Sequence, residues 1–274
     1  MVQGSVYSAQ ILFSVNKPIP LAVWSGMYLH KLILQVLESS GLSLSHRDPK
    51  PFSISPIYII SNAKTQHFID KGILNPGQLY TFRFSSLERK IFECVVKGFA
   101  HAEVDIFNVV RIEQARLTIP TNINCVEDSD KSSLIILVRF SPTIFKFHGH
   151  AILYPSPIRF MKSLMKYLHI ATSLDVSKCF GDLTRAADLI NFDIRVNRFS
   201  IGRDDSNRDR IVKAFYGSAK YVIVVPKSFA NVFKNYVLRF AKVMGIGKNR
   251  SIGFGDISEI SILSDATSNN VEKL

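Results

Sequence analysis

The sequence is short of three things, and each shortage removes a class of protein. It has only three cysteines in 274 residues. They stand far apart at Cys94, Cys125 and Cys179, and an odd number with wide gaps argues against a disulfide framework and against a zinc site. No apolar run approaches the roughly 20 residues needed to span a bilayer. The start, Met1-Val2-Gln3-Gly4-Ser5, lacks the basic cluster and apolar stretch of a secretory leader. The expectation is a soluble, cytoplasmic protein. Acidic residues are the third scarcity: 22 Asp and Glu stand against 34 Lys and Arg, a formal net charge of +12. Such a surplus says little about fold, but it attracts polyanions over long range.

What is present is a large apolar fraction, 47% of the chain, ample for one large domain or two of about 100–150 residues. The positive charge is concentrated late. Between Arg195 and Arg250 there are 13 basic residues, opposed only by Asp204, Asp205 and Asp209. A stretch so one-sided favours nucleic acid as partner, with an anionic membrane surface a distant second. The 20 phenylalanines are expected in the core.

Periodicity divides the chain into two similar series of elements. Val6 to Val15 reads as a strand ended by Lys17-Pro18-Ile19-Pro20. Leu29, Leu32, Ile33, Val36 and Leu37 then form the apolar stripe of a helix that Gly41 stops. Strands are expected at Phe52 to Tyr58, Leu79 to Phe84 and Val104 to Ile119, with a helix from Leu87 to Val96. The order β-α-β-β-α-β is the ferredoxin-like one. After a polar linker from Thr121 to Ser133 it recurs. Strands are expected at Leu134 to Phe140, Ile194 to Ile201, Lys220 to Val225 and Ile257 to Leu263. Helices are expected over Ile158 to Ile170 and along the stripe Phe229 to Phe240. Residues Leu174 to Asn191 read as an inserted loop with a short helix. The predicted architecture is α+β, two tandem ferredoxin-like domains over residues 1–125 and 126–274.

The most informative stretch is Gly245-Ile246-Gly247-Lys248-Asn249-Arg250-Ser251-Ile252-Gly253-Phe254-Gly255. Gly245, Gly247, Gly253 and Gly255 bracket a basic pentapeptide between a helix and a strand. Glycine tolerates positive φ and brings backbone N–H groups close to a ligand. Lys248 and Arg250 add charge, and Asn249 and Ser251 add hydrogen-bonding groups, so the loop is suited to a phosphate backbone. It opens no helix after a strand, as a dinucleotide fingerprint would, and it lacks the Gly-Lys-Ser/Thr ending of a Walker loop. Arg195, Arg198 and Arg203 are further candidates for holding the backbone. Phe147-His148-Gly149-His150 pairs two histidines without a further ligand at metal-binding spacing.

This glycine pattern before a last strand resembles the motif of the RAMP superfamily of CRISPR-associated proteins. With two ferredoxin-like domains in a chain of this length, it is similar in particular to the repeat-cleaving endoribonuclease family, CRISPR-associated protein six. The segment Lys50-Pro51-Phe52-Ser53-Ile54-Ser55-Pro56 looks like the one following the family's catalytic histidine. The resemblance implies a set made of Tyr28 on the first helix, His46 and Lys50, with Lys31 and Arg47 as basic substitutes. It implies metal-independent cleavage of CRISPR repeat RNA, without cofactor, leaving a 2′,3′-cyclic phosphate and a 5′-OH. The residue types suit that chemistry, since histidine moves protons near neutrality and a fixed cation stabilises extra phosphate charge. Repeat RNA is the implied partner, in a homodimer or a CRISPR effector complex and away from membranes. The alternatives are a RAMP protein that holds repeat RNA without cutting it, and a general single-strand RNA binder.

Overall fold

The computed structural model describes residues 4–44, 50–61, 65–101, 106–120, 130–173, 179–180 and 183–267. The N-terminal half runs β1 (Gly4–Val15), β2 (Ile19–Leu21), α1 (Ser25–Ser39), β3 (Phe52–Ile54), β4 (Tyr58–Ser61), β5 (Thr65–Phe68), β6 (Gly72–Leu74), β7 (Tyr80–Ser86), α2 (Arg89–Ala100) and β8 (Phe107–Ile119). Alternation along β1 sets its two faces. Ala9, Ile11, Phe13 and Val15 enter the core beneath α1 and α2, where Leu29, Ile33, Val36 and Leu37 meet them. The opposite face is polar: Gln10 donates to Thr81 at 2.7 Å, and the Ser8 and Ser85 hydroxyls lie 3.0 Å apart. The main antiparallel sheet has the order β5-β4-β7-β1-β8, with β3 also on β7.

The C-terminal half runs β9 (Lys131–Thr143), β10 (Phe145–Phe147), β11 (His150–Ile152), α3 (Pro157–Thr172), β12 (Ala187–Arg203) and β13 (Asp209–Pro226), then α4 (Lys227–Val232), α5 (Leu238–Met244) and β14 (Ile257–Thr267). Its sheet order is β12-β13-β9-β14. In both halves the first long strand lies between the third and the fourth, the arrangement of a ferredoxin-like fold. Residues Phe233–Val237 join α4 to α5 through a π-helical turn, which keeps Phe229, Phe233, Val237 and Phe240 on the core side.

Several elements differ from the sequence expectation, each for a local reason. The run from Phe52 to Tyr58 is two strands, because Pro56 has no N–H to continue the ladder. The short strands β2, β5 and β6 carry too few residues to show a period. The expected loop over Leu174 to Asn191 gives way at Ala187, where β12 begins. Its side chains stay exposed on both faces over much of its length, so no buried alternation marked it. Cys179 is disulfide-bonded, contrary to the reading of the spacings, while Cys94 is free. The expected boundary at residue 125 falls outside the described residues.

Candidate nucleic-acid interface

The two halves meet at a seam built around the glycine loop. Trp24, the single tryptophan of the chain, is fully buried against Phe68, Phe199 and Phe254. Its indole N–H donates to the Ile252 carbonyl at 2.7 Å. Two residues on, Gly26 of α1 lies against the backbone of Ile252 and Gly253, where a Cβ would collide with both. The helix therefore carries glycine in its first turn, despite a cost of about 1 kcal/mol relative to alanine. A second tie runs through Asp256, 5% exposed. It accepts a hydrogen bond from the Tyr58 hydroxyl at 2.6 Å and pairs with the Arg83 guanidinium. Burial, and then the Asp256 charge, push the Tyr58 hydroxyl well above its ordinary range, so it stays a donor.

The loop itself is packed more tightly than the sequence suggested. All four of its glycines are buried. Gly255, at φ 75°, lies so close to the Ile246 carbonyl that any side chain would overlap it. Arg250 corrects the expectation of an RNA-facing cation. It is 7% exposed, donates to the Met244 carbonyl at 3.0 Å and stacks 3.3 Å from the centroid of the Tyr167 ring. Burial lowers its pKa from the ordinary arginine value. It is an internal strut. Asn249 sits in the left-handed region at φ 62° and shapes the turn. Of the loop's basic residues, Lys248 is the exposed one.

On one side of the loop stands His30, which sequence reasoning missed. Its Nδ1 lies 2.8 Å from the Ser251 carbonyl, and its ring lies 6.0 Å from that of Phe52. A carbonyl only accepts, so Nδ1 carries the proton and Nε2 is the basic nitrogen of the neutral ring. Histidine at the helix position four beyond Gly26 lies on the same face, and that spacing was the available signal. Tyr28 is two positions from His30, on another face. It is half-buried beside Phe107, 6.4 Å between ring centroids, and burial raises its pKa. The structure thus does not bring Tyr28 to the loop. Lys31 is exposed. Lys50 reaches the Leu44 carbonyl at 3.4 Å, at the foot of β3, which packs beside Arg250–Ile252. His46 and Arg47 lie outside the described residues.

On the other side of the loop, α3 presents Arg159, Lys162 and Lys166, joined by Lys146 of β10 and by Lys248. Tyr167 donates to the Gly247 carbonyl at 2.8 Å, and the Gly247 N–H donates to Ser163 at 2.7 Å. Apart from Lys248, these cations were also missed, because Lys146, α3 and the glycine loop lie apart in sequence. The arginines singled out on the hairpin are exposed but do not form one set. Arg195 is opposite Tyr216 and Arg198 is opposite Lys213, an odd number of residues apart, so they project from opposite faces of β12. Arg203 is tied to Asp209 at 3.3 Å and to Asn207 at 3.0 Å.

Known proteins share both this fold and part of its sequence. Residues 137–257, from within β9 through the glycine loop to the start of β14, match the family model of the CRISPR-associated endoribonuclease Cas6. The solved structure of Thermus thermophilus Cas6 superposes with a TM-score of 0.61 at 15% identity, covering 94% of this chain and 99% of that one. A Cas6 product complex gives 0.62 at 15% identity, covering 95% and 100%. A Cas6-related protein from Pyrococcus furiosus gives 0.53 at 17%, covering 94% and 98%. No curated protein matches the chain. No helix among the described residues is long and apolar enough to cross a membrane. Residues 137–257 thus carry a sequence match to the Cas6 family model, on a fold that solved Cas6 structures share along nearly the whole chain.

Proposed function

We propose that this protein is an endoribonuclease that cuts CRISPR repeat transcripts, with the scissile phosphate held where α1, β3 and the glycine loop converge. The observation that carries the reading is His30, fixed through Nδ1 to the loop carbonyl of Ser251 at 2.8 Å, which sets the basic nitrogen of the neutral ring at Nε2. In the proposed reaction the ribose 2′-hydroxyl loses its proton to a base and its oxygen attacks the adjacent phosphorus. The bond to the 5′-oxygen breaks, that oxygen takes up a proton, and the products are a 2′,3′-cyclic phosphate and a 5′-OH. No water is consumed and no metal is required. Histidine serves either proton transfer, and each such transfer is worth about 10²–10⁴-fold in rate. His30 shares this role with His46, while Lys50 and Lys248 stabilise the extra charge on phosphate. Tyr28 acts from within α1, by packing.

The test uses repeat RNA in chelator, beside the same RNA carrying 2′-deoxyribose at the cut site. The native RNA is expected to be cleaved and the deoxy RNA to be bound but left whole; cutting of the deoxy RNA would reject attack by the 2′-hydroxyl. His30→Ala and His46→Ala, assayed in single turnover, divide the role. The substitution that lowers the rate about 100-fold or more with unchanged affinity marks the proton-transfer residue. Bound but uncleaved native RNA would favour the second reading, a repeat-RNA holder, which the cation-rich surface alone would also support.

A further inference from the structure

Apart from Lys248, the cations on the far side of the glycine loop have no part in the proposed chemistry, yet they are arranged too regularly to be an ordinary solvated face. Arg159, Lys162 and Lys166 follow one another at helix spacing, and Lys146 and Lys248 close over them from β10 and the loop. Among the described residues no carboxylate lines this groove. Like charges at such spacing repel, and an ordinary solvated helix face intersperses acids to relieve that. Elsewhere on the surface this is done: Arg89 pairs with Glu93 at 2.7 Å and Arg111 with Glu113 at 2.8 Å. The groove is also held in shape. The Arg159 guanidinium lies 4.0 Å from the centroid of the Phe147 ring, and Ser163 and Tyr167 bind both polar groups of the Gly247 backbone. The wall of the groove is therefore the glycine loop itself.

We propose that this groove holds the ribose-phosphate backbone of the RNA strand that continues from the cut. The proposal rests on the endoribonuclease reading for its substrate and extends it to a second contact region. Continuity carries it. Ser251 on one side of the loop meets His30, Gly247 on the other meets α3, and the exposed tip Lys248–Asn249 lies between them. A strand leaving the reacting phosphate and crossing that tip enters the groove. The chemistry favours backbone over bases. Of the two aromatic residues lining the groove, Phe145 is buried and Tyr167 already has Arg250 against its face, so neither offers an open stacking platform, whereas Lys146, Lys162, Lys166 and Lys248 are exposed. Such a grip is independent of sequence and strongly dependent on salt.

The experiment uses the full chain and three RNAs: the repeat ending at the cut, and the same repeat extended by single-stranded nucleotides on its 5′ or on its 3′ side. Affinity is measured through a salt series for the wild type, for Lys162→Gln with Lys166→Gln, and for Lys162→Glu with Lys166→Glu. One extension is expected to tighten wild-type binding and steepen the dependence of log Kd on log salt by about 0.7 for each phosphate neutralised. The glutamine pair should lose about 0.7 of that slope per lysine, and the glutamate pair should bind extended and unextended RNA alike, with thermal midpoints unchanged. A full extension effect retained in both variants would overturn the proposal, as would a wild type for which neither extension matters. The endoribonuclease reading fails separately, if the wild type neither cleaves the repeat nor prefers it to a shuffled RNA of equal length. The salt slopes still decide the groove in that case. Competition by an acidic peptide stronger than by extended RNA would assign the groove to a protein partner and reject RNA.

Discussion

The inner and outer sides of the glycine loop are built for different purposes. On the inner side, glycines and Arg250 are packed against backbone and ring, with no room for further side chains. On the outer side, Lys248 stands in solvent among cations from other elements. A motif that reads as a phosphate cradle is, on most of its residues, a spacer that lets two halves of the chain approach closely. Under the proposed function, its contribution to RNA binding is made mainly by what it holds in place. The seam at Trp24, Gly26 and Asp256 and the groove over α3 are both consequences of that packing.

Substitution separates the two sides, and the largest effect belongs inside. Gly255→Ala puts a methyl group on the Ile246 carbonyl and is expected to cost about 3 kcal/mol or more, read as a fall in the denaturant midpoint. An unchanged midpoint would mean that the inner side is not close-packed. Removing one partner of the buried tie, as in Asp256→Ala, should cost about 3–5 kcal/mol, because Arg83 is left without its carboxylate. The matched pair Arg250→Gln and Lys248→Gln sharpens the contrast. The first should lower the thermal midpoint, by roughly 2–4 °C for each kcal/mol lost. The second should leave stability within about 0.5 kcal/mol and lessen the salt slope of RNA binding by about 0.7. Reversal of these two outcomes would invert the assignment of sides.

The smallest expected effect lies at the edge of the seam and depends on pH. One carboxylate oxygen of Asp70 is buried without a hydrogen-bond partner, and burial raises its pKa. A raised carboxyl pKa means that the folded state favours the protonated form. The stability it allows is fully present below the ordinary carboxylate range and is lost as pH rises through the folded value. Asp70→Asn should therefore raise the thermal midpoint at neutral pH and change it little in acid. A larger gain in acid than at neutrality would contradict the sign.

Much of the fold was legible in the sequence. The stripe of Leu29, Ile33, Val36 and Leu37 and the alternation in β1 gave the first helix and strand, because one face of each is buried against the core. The sheet order followed from the series of elements. The π-turn at Phe233–Val237, the split at Pro56 and the early start of β12 did not, since each depends on neighbours or on exposed positions without a hydrophobic period. The candidate site was less legible. Arg195 and Arg198 are close in sequence and project to opposite faces of one strand, while Lys146, Lys166 and Lys248 are far apart in sequence and share one groove. His30 looked like an ordinary helix residue until Ser251 was brought to it across the seam.

The sequence by itself determined the net charge, the helical and strand periods and the glycine pattern, and with these the architecture. Those properties are local, written in the spacing of neighbouring residues. The burial of Arg250, the partner of His30 and the convergence of the groove lysines were decided only by the tertiary structure. Each depends on where distant segments come to lie, and that is set by close packing of the two halves around backbone that carries no side chain.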